Sequence, residues 1–425
     1  MGLLIKGGRV VDPAQGVDEV MDVLVDDGKI AETGRLDRHY ASKGVEVVDA
    51  KGKLVLPGLI DMHCHLREPG YEYKEDIKSG TRAAAAGGFT TVCCMPNTKP
   101  VNDNRSVTEY ILKRANEDGS CRVVPIGAIT KGSEGLELTE MGDMADAGCR
   151  AFSDDGRPVA SAEIMRRALE YAKTFGMTII SHCEDPALSA GGVMNEGAVS
   201  TRLGLRGIPS AAEEVMVARD LALARLTGGR LHIAHVSTEG SVMLIRRAKQ
   251  DGINITAETC PHYFILTEDD VLDYNTYRKV NPPLRTGRDR QAIIEGLRDG
   301  TIDVIATDHA PHASSEKDVE FDLAPFGISG FETAVSLSMK LARDGGLSLM
   351  ELVGKMTVNP AKAIGLDAPS LKVGGVADIT IIDPDAVRTV DPKAMLSKGK
   401  NTAFTGMELV GWPVLTVLGG RIISR

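Results

Sequence analysis

The sequence predicts an α/β fold: a (β/α)8 TIM-like barrel with a small β-rich domain built from both chain termini. Three observations predict it. Eight short apolar runs alternate with helix-length segments. Polar residues end several of these runs. Short strands broken by Gly and Asp lie on either side of the repeating region.

The barrel runs are 59–63, 90–95, 122–126, 150–153, 177–182, 231–236, 253–258 and 303–307, and amphipathic stretches such as 73–86, 107–117, 162–175 and 211–227 fall between them. Eight β–α repeats are the number needed to close a parallel barrel. The seventh unit is the least regular, because an irregular stretch, 263–285, separates its strand from its helix. Before the barrel, alternating segments at 3–5, 23–25, 29–31 and 45–48 are punctuated by Gly7-Gly8 and Asp26-Asp27-Gly28. The same pattern returns at 376–383, 402–404 and 414–418, followed by Gly419-Gly420. The expected division is therefore 1–56 with 367–425 as the β-rich domain and 57–366 as the barrel.

Composition narrows the function classes. With 43% apolar and 25% charged residues over 425 positions, a sizeable core can form. The net charge of −10, with no basic block, argues against nucleic acid. No apolar run approaches the roughly 20 residues of a membrane span, and 1–13 reads as strand and turn rather than a signal peptide. Seven Cys with no C-x-x-C pair fit a reducing cytoplasm. Adjacent Cys93 and Cys94 read as packing residues.

The chemistry concentrates at strand ends. In Asp61-Met62-His63-Cys64-His65, alternation along a strand turns His63 and His65 to one side. Alone, such a pair is not diagnostic. His182, His235 and Asp308 also end apolar runs, and Asp154-Asp155 closes the fourth. Barrel enzymes place catalytic groups at these C-terminal ends. Four His and two carboxylates at one mouth make the ligand set of a two-metal site. Which of Asp154 and Asp155 turns inward is open. His232, three residues from His235, belongs to the barrel wall or interior. His262 is assigned a supporting or structural role, and His39 an exposed one. Arg67 lies two residues past His65, so it faces the same side if the strand continues, and it offers a planar fork for a carboxylate; a surface pair with Glu68 is the alternative. Asn97, at the second strand end, can offer amide donors and an acceptor.

The run Pro57-Gly58-Leu59-Ile60-Asp61-Met62-His63-Cys64-His65-Leu66-Arg67-Glu68-Pro69-Gly70 resembles the amidohydrolase signature in its dihydroorotase form. Met95-Pro96-Asn97-Thr98, Phe152-Ser153-Asp154-Asp155-Gly156, Ser181-His182-Cys183-Glu184, Ala234-His235-Val236-Ser237, Lys279-Val280-Asn281-Pro282-Pro283 and Thr307-Asp308-His309-Ala310-Pro311-His312 extend the resemblance over essentially the whole chain. It points to dihydroorotases of the single-function bacterial (class I) kind. The resemblance implies reversible cyclisation of N-carbamoyl-L-aspartate to L-dihydroorotate, in pyrimidine biosynthesis. It implies two zinc ions held by His63, His65, Asp155, His182, His235 and Asp308, with Asp155 and a hydroxide as bridges and Asp154 as the competing bridge. Asp308 would also be the catalytic proton shuttle. Substrate contacts would come from His65, Arg67, Asn97, Asn281, Asp308, His312 and the Phe326-Gly327 backbone. Many relatives, hydantoinases among them, bridge their metals with a carboxylated Lys; the fourth strand end here offers Asp154-Asp155 and no Lys. A hydantoinase- or allantoinase-like enzyme is the nearer alternative, and a non-catalytic scaffold for aspartate carbamoyltransferase the remoter one. A homo-oligomer, and a complex of the active enzyme with aspartate carbamoyltransferase, are the expected assemblies. The polar segment 310–323 reads as a lid over the mouth.

Overall fold

The structure is a computed structural model describing residues 2–36 and 44–425. His39 lies outside the described residues.

Eight parallel strands form the barrel: Leu59–Cys64, Phe89–Cys94, Arg122–Pro125, Ala151–Ser153, Thr178–Ser181, Arg230–Ile233, Ile255–Thr259 and Val304–Ile305. The first three pair in order, as do the last five. A parallel bridge between Gly127 and Phe152 joins the two groups, and one between Cys64 and His309 closes the ring. Each strand lies within a few residues of its predicted run. They form because β-branched and apolar residues occupy both faces, as a sheet covered on both sides requires. Cys93, Val124, Ala151, Ile180 and Val304, from five strands, share one cluster, as inward side chains of a closed barrel do. Phe89, Phe152, Ile179 and Leu231 pack instead with helix residues Ile111, Leu169, Val217, Ile245 and Ile293. Helices Ile77–Ala86, Arg105–Asp118, Ala162–Thr174 and Ala211–Thr227 supply part of that outer layer.

Strands from both chain ends form a single sheet, in the order Arg421–Ser424, Glu408–Leu418, Ile379–Thr389, Leu54–Pro57, Leu3–Asp12, Val17–Asp26 and Lys29–Gly34, with Glu46–Asp49 also on Leu3–Asp12. Leu3, Ile5, Val23, Val25, Val55, Ile379, Ile381 and Val417 make its core. The sheet docks on the barrel through Gly58 N–H to the Asp378 carbonyl (2.8 Å) and through the Thr380 and Thr416 hydroxyls to the Gly88 and Ala85 carbonyls (2.7 Å each). One expected strand is absent: 402–404 is irregular and turn. Ala403 and Phe404 are apolar because they pack with Tyr263, Phe321 and Leu409, without strand pairing. No helix among the described residues is long and apolar enough to cross a membrane. All seven cysteines are free and buried, and burial raises thiols such as Cys94 to about 12, the state of inert packing groups.

Candidate metal centre

His63, His65, Asp155, His182 and His235 meet at the C-terminal mouth of the barrel, all buried. Asp155 is central. Its Oδ1 lies 3.3 Å from His63 Nε2, 3.4 Å from His182 Nδ1 and 3.5 Å from His235 Nε2. Its Oδ2 lies 3.5 Å from His65 Nε2. Two groups of converging ligand atoms result, His63–His65–Asp155 and Asp155–His182–His235, with Asp155 common to both. Asp308 Oδ1 joins the first, 3.1 Å from His65 Nε2 and 3.6 Å from His63 Nε2.

The neighbouring aspartate is consumed by the fold. Asp154 Oδ1 accepts from the Ile129 and Thr130 N–H groups (2.8 and 3.1 Å), and Oδ2 accepts from the Thr130 hydroxyl. These bonds turn Asp154 onto the loop after the third strand, which leaves Asp155 to face the mouth.

The rings are aimed from behind. His63 Nδ1–H donates to Glu258 Oε1 at 2.5 Å, which leaves Nε2 as the lone-pair nitrogen. His65 Nδ1–H donates to Asn97 Oδ1 at 2.8 Å, with the same effect. Glu258 also lies 3.2 Å from His232 Nε2, and His232 Nδ1 lies 2.7 Å from the Thr256 hydroxyl, so His232 sits in the buried interior. Glu258 is a residue the sequence reading used only as a strand end; a carboxylate closing an apolar run was the available signal. Asp61 is another. Its carboxylate accepts from Thr307 N–H (2.9 Å) and the Thr307 hydroxyl (2.6 Å), linking the first strand to the residue before Asp308. Burial lifts it to about 7.

Electrostatics follow from this crowding. Burial opposes the Asp155 charge, but the facing imidazoles hold its carboxyl well below the ordinary range. Burial opposes charge on His182 too, yet Asp155 and Glu184 bring it up to about 10. Glu184 is correspondingly held down to about 2, against burial, mainly by His182. Burial pushes His262 down to about 4, so it is neutral near pH 7. Three of the six non-glycine residues with positive φ among those described are Arg67, His235 and Asp308. Strained backbone of this kind gathers at functional sites.

A metal fits this donor set. His63 Nε2, His235 Nδ1 and Asp155 Oδ1 are buried without a hydrogen-bond partner, an arrangement that costs free energy unless something satisfies it. Four imidazoles and two carboxylates suit zinc, manganese or cobalt.

The other expected residues surround this centre unevenly. Arg67 is half-buried and turns toward the mouth, but not because the strand continues, since the strand ends at Cys64. A left-handed turn at Arg67 (φ 63°) carries it in, and its Nε donates to the Pro311 carbonyl at 3.2 Å. Glu68 pairs with Arg114 (3.0 Å) and Tyr110 instead, which removes the Arg67–Glu68 surface pair. His312 Nε2 lies 3.4 Å from Arg67 Nη2 and donates to the Phe326 carbonyl at 2.8 Å. Gly327 adopts φ 129°, and a Cβ there would meet Ala310 at 2.8 Å, so only glycine fits. Asn97 binds His65 and reaches Asp155 Oδ2 (3.4 Å). Asn281 Nδ2 donates to Glu184 (2.6 Å), leaving its buried Oδ1 open. In 310–323, Ser314–Lys317 is helical and Lys317 is buried, donating to the Pro325 and Thr276 carbonyls (2.7 and 3.1 Å).

A closed parallel barrel with a His-carboxylate cluster at its mouth is the fold and site of the amidohydrolases. A family described as Dihydro-orotase-like matches residues 52–241, and one described as Amidohydrolase family matches 324–424. The dihydroorotase of Geobacter metallireducens is 57% identical over 100% of both chains. That of Pelotomaculum thermopropionicum is 60% identical over 100% of this chain and 99% of its own. The chain belongs to the dihydroorotase family. Among solved structures, the L-hydantoinase (dihydropyrimidinase) of Arthrobacter aurescens is similar at a TM-score of 0.89 and 28% identity, covering 100% of this chain and 96% of its own. The dihydropyrimidinase of Brevibacillus agri shares the fold at 0.86.

Proposed function

We propose that this protein is a zinc-dependent dihydroorotase, interconverting N-carbamoyl-L-aspartate and L-dihydroorotate. The observation that carries the reading is the pair of ligand groups sharing one buried carboxylate, Asp155, with open nitrogen and oxygen atoms around it. His63, His65 and Asp308 would hold one ion, His182 and His235 the other, and Asp155 would bridge them. When bound, such ions lower the pKa of water to about 7 and polarise a carbonyl.

The chain's own groups do the rest. Arg67 offers a charge-assisted clamp for the α-carboxylate that both substrate forms keep, with Asn97 and His312 beside it. Asn281 and the Phe326-Gly327 backbone face the ring. Asp308 takes the proton of the attacking water as the new C–O bond forms. It then delivers that proton to the ring nitrogen as the C–N bond breaks. Cyclisation runs the same steps backwards: the nitrogen surrenders a proton to Asp308 and the carboxyl group loses water. Burial of the ligand groups limits the access of bulk solvent to this exchange.

The test is metal analysis together with turnover of dihydroorotate, hydantoin and allantoin, for wild type and Asp155→Ala. Wild type is expected to retain about two ions per chain and to prefer dihydroorotate. Asp155→Ala is expected to lose metal and at least about a thousandfold in rate. Full metal and full rate in that variant would refute the bridging role, and a preference for hydantoin would refute the substrate.

A further inference from the structure

Asn401 lies beyond the barrel strands, in the segment that was expected to lead into a strand and instead runs against the mouth. The residue is 2% exposed. Nδ2 donates to the Ala310 carbonyl (3.2 Å) and the Gly327 carbonyl (3.0 Å). Oδ1 accepts from His312 N–H (3.0 Å) and lies 3.0 Å from the Ser329 hydroxyl, which also reaches the Gly399 carbonyl. The Asn401 carbonyl accepts from Ser329 N–H at 3.1 Å.

These partners fix the amide's orientation. A backbone N–H can only donate and the two carbonyls can only accept, so oxygen faces His312 and nitrogen faces Ala310 and Gly327. A flipped amide would break all three bonds. A planar group of this kind sets the separation of the two segments it joins. Those segments, 310–312 and 327–329, carry His312 and Gly327, and none of the described residues bonded to Asn401 belongs to the metal cluster.

We propose that Asn401 is a positioning residue for substrate binding: it holds His312 and Gly327 at the spacing that the substrate's carboxylate and ring require. This rests on the dihydroorotase reading above. Displacing binding groups by about an ångström costs on the order of a hundredfold or less, and the loss should fall on KM because the ion-binding groups are untouched.

The experiment compares Asn401→Leu, which removes all three bonds, with Asn401→Asp, which keeps the acceptor for His312 and loses both donors. Steady-state kinetics on dihydroorotate are measured from pH 6 to 9 as a ratio to wild type, with metal content and amide hydrogen exchange of the peptide spanning 310–312. Asn401→Leu is expected to raise KM about tenfold or more with kcat within about threefold, to keep its metal, and to exchange faster at 310–312. Asn401→Asp should show a raised KM at pH 9 that approaches wild type at pH 6. There its buried carboxyl gains a proton and can again donate to a carbonyl. The Leu ratio should stay flat with pH.

KM ratios within about twofold of unity in both variants, or a flat Asp ratio, would overturn the proposal. If Asn401→Leu does not fold, the pH dependence of the Asp ratio decides alone. If wild type turns over no dihydroorotate, the functional reading falls. Exchange at 310–312 then decides the positioning claim: faster in the variants supports it, unchanged overturns it.

Discussion

The terminal sheet and the barrel mouth treat buried carboxylates in opposite ways. In the sheet, Asp12 is fully buried and its oxygens accept from Ala14 N–H, the Gln15 amide, the Ser370 hydroxyl and Leu371 N–H, at 2.6–2.9 Å. Both oxygens have donors, and the two chain ends are tied together. At the mouth, Asp155 Oδ1 has no hydrogen-bond partner and faces three imidazole nitrogens instead. A carboxylate ringed by N–H and O–H groups is complete. One that faces imidazole nitrogens with no hydrogen bond is placed to share a cation with them. The first kind should govern stability and the second activity, and variants can separate the two.

The largest effect is expected at the mouth. Glu258→Gln keeps the shape behind His63 but removes the charge that fixes its tautomer. Metal affinity should fall about 10- to 100-fold, with activity restored by added zinc, while thermal stability of the metal-loaded protein changes little. Isothermal titration with zinc checks this, and wild-type affinity would show that Glu258 does not aim the ring. In the sheet, Asp12→Asn exchanges one acceptor oxygen for a donor facing donors. Unfolding free energy should drop by about 1–3 kcal/mol, read by urea denaturation, with kcat/KM at 25 °C unchanged. A fall in activity without a fall in stability would erase the contrast.

The smallest effect lies at the surface between them. Asp76 caps the helix Ile77–Ala86, accepting from Ser79 N–H at 2.7 Å, and pairs with Lys398. Burial opposes its charge, but Lys398 and Ser79 leave its carboxyl below the ordinary 3.8. A lowered carboxyl contributes stability that is present above the unfolded pKa and lost as pH falls through the folded one. Asp76→Asn keeps a capping oxygen and loses the charge. It should cost about 0.5 kcal/mol at pH 7, and the difference should begin to shrink as pH falls below about 3.8 and vanish only once pH is below the lowered pKa of the folded carboxyl. A difference that grows on acidification would mean the charge is destabilising.

The sequence revealed these regions unequally. Barrel strands were legible because apolar runs ending in His or Asp combine a burial signal with a chemical one, and both are local. The choice between Asp154 and Asp155 was not legible. It is made by the Ile129 and Thr130 N–H groups, 25 and 24 residues away. Glu258 was visible only as a letter ending a run, since nothing near it announces the His63 ring 195 residues distant. The strand expected at 402–404 failed because burial of Ala403 and Phe404 has two sources, strand pairing and loop packing, and alternation cannot tell them apart. Arg67 was placed inward for a reason the backbone does not follow: the strand stops, and a left-handed turn does the work.

The shared terminal sheet has a consequence for synthesis. Lys53 meets its partner Asp383 across 330 residues, and Leu54–Pro57 pairs with Ile379–Thr389. At about 5–20 residues per second on the ribosome, this strand edge waits tens of seconds for its mate. Throughout that interval the nascent chain carries an unpaired strand edge, a ladder of the kind that can pair with another chain.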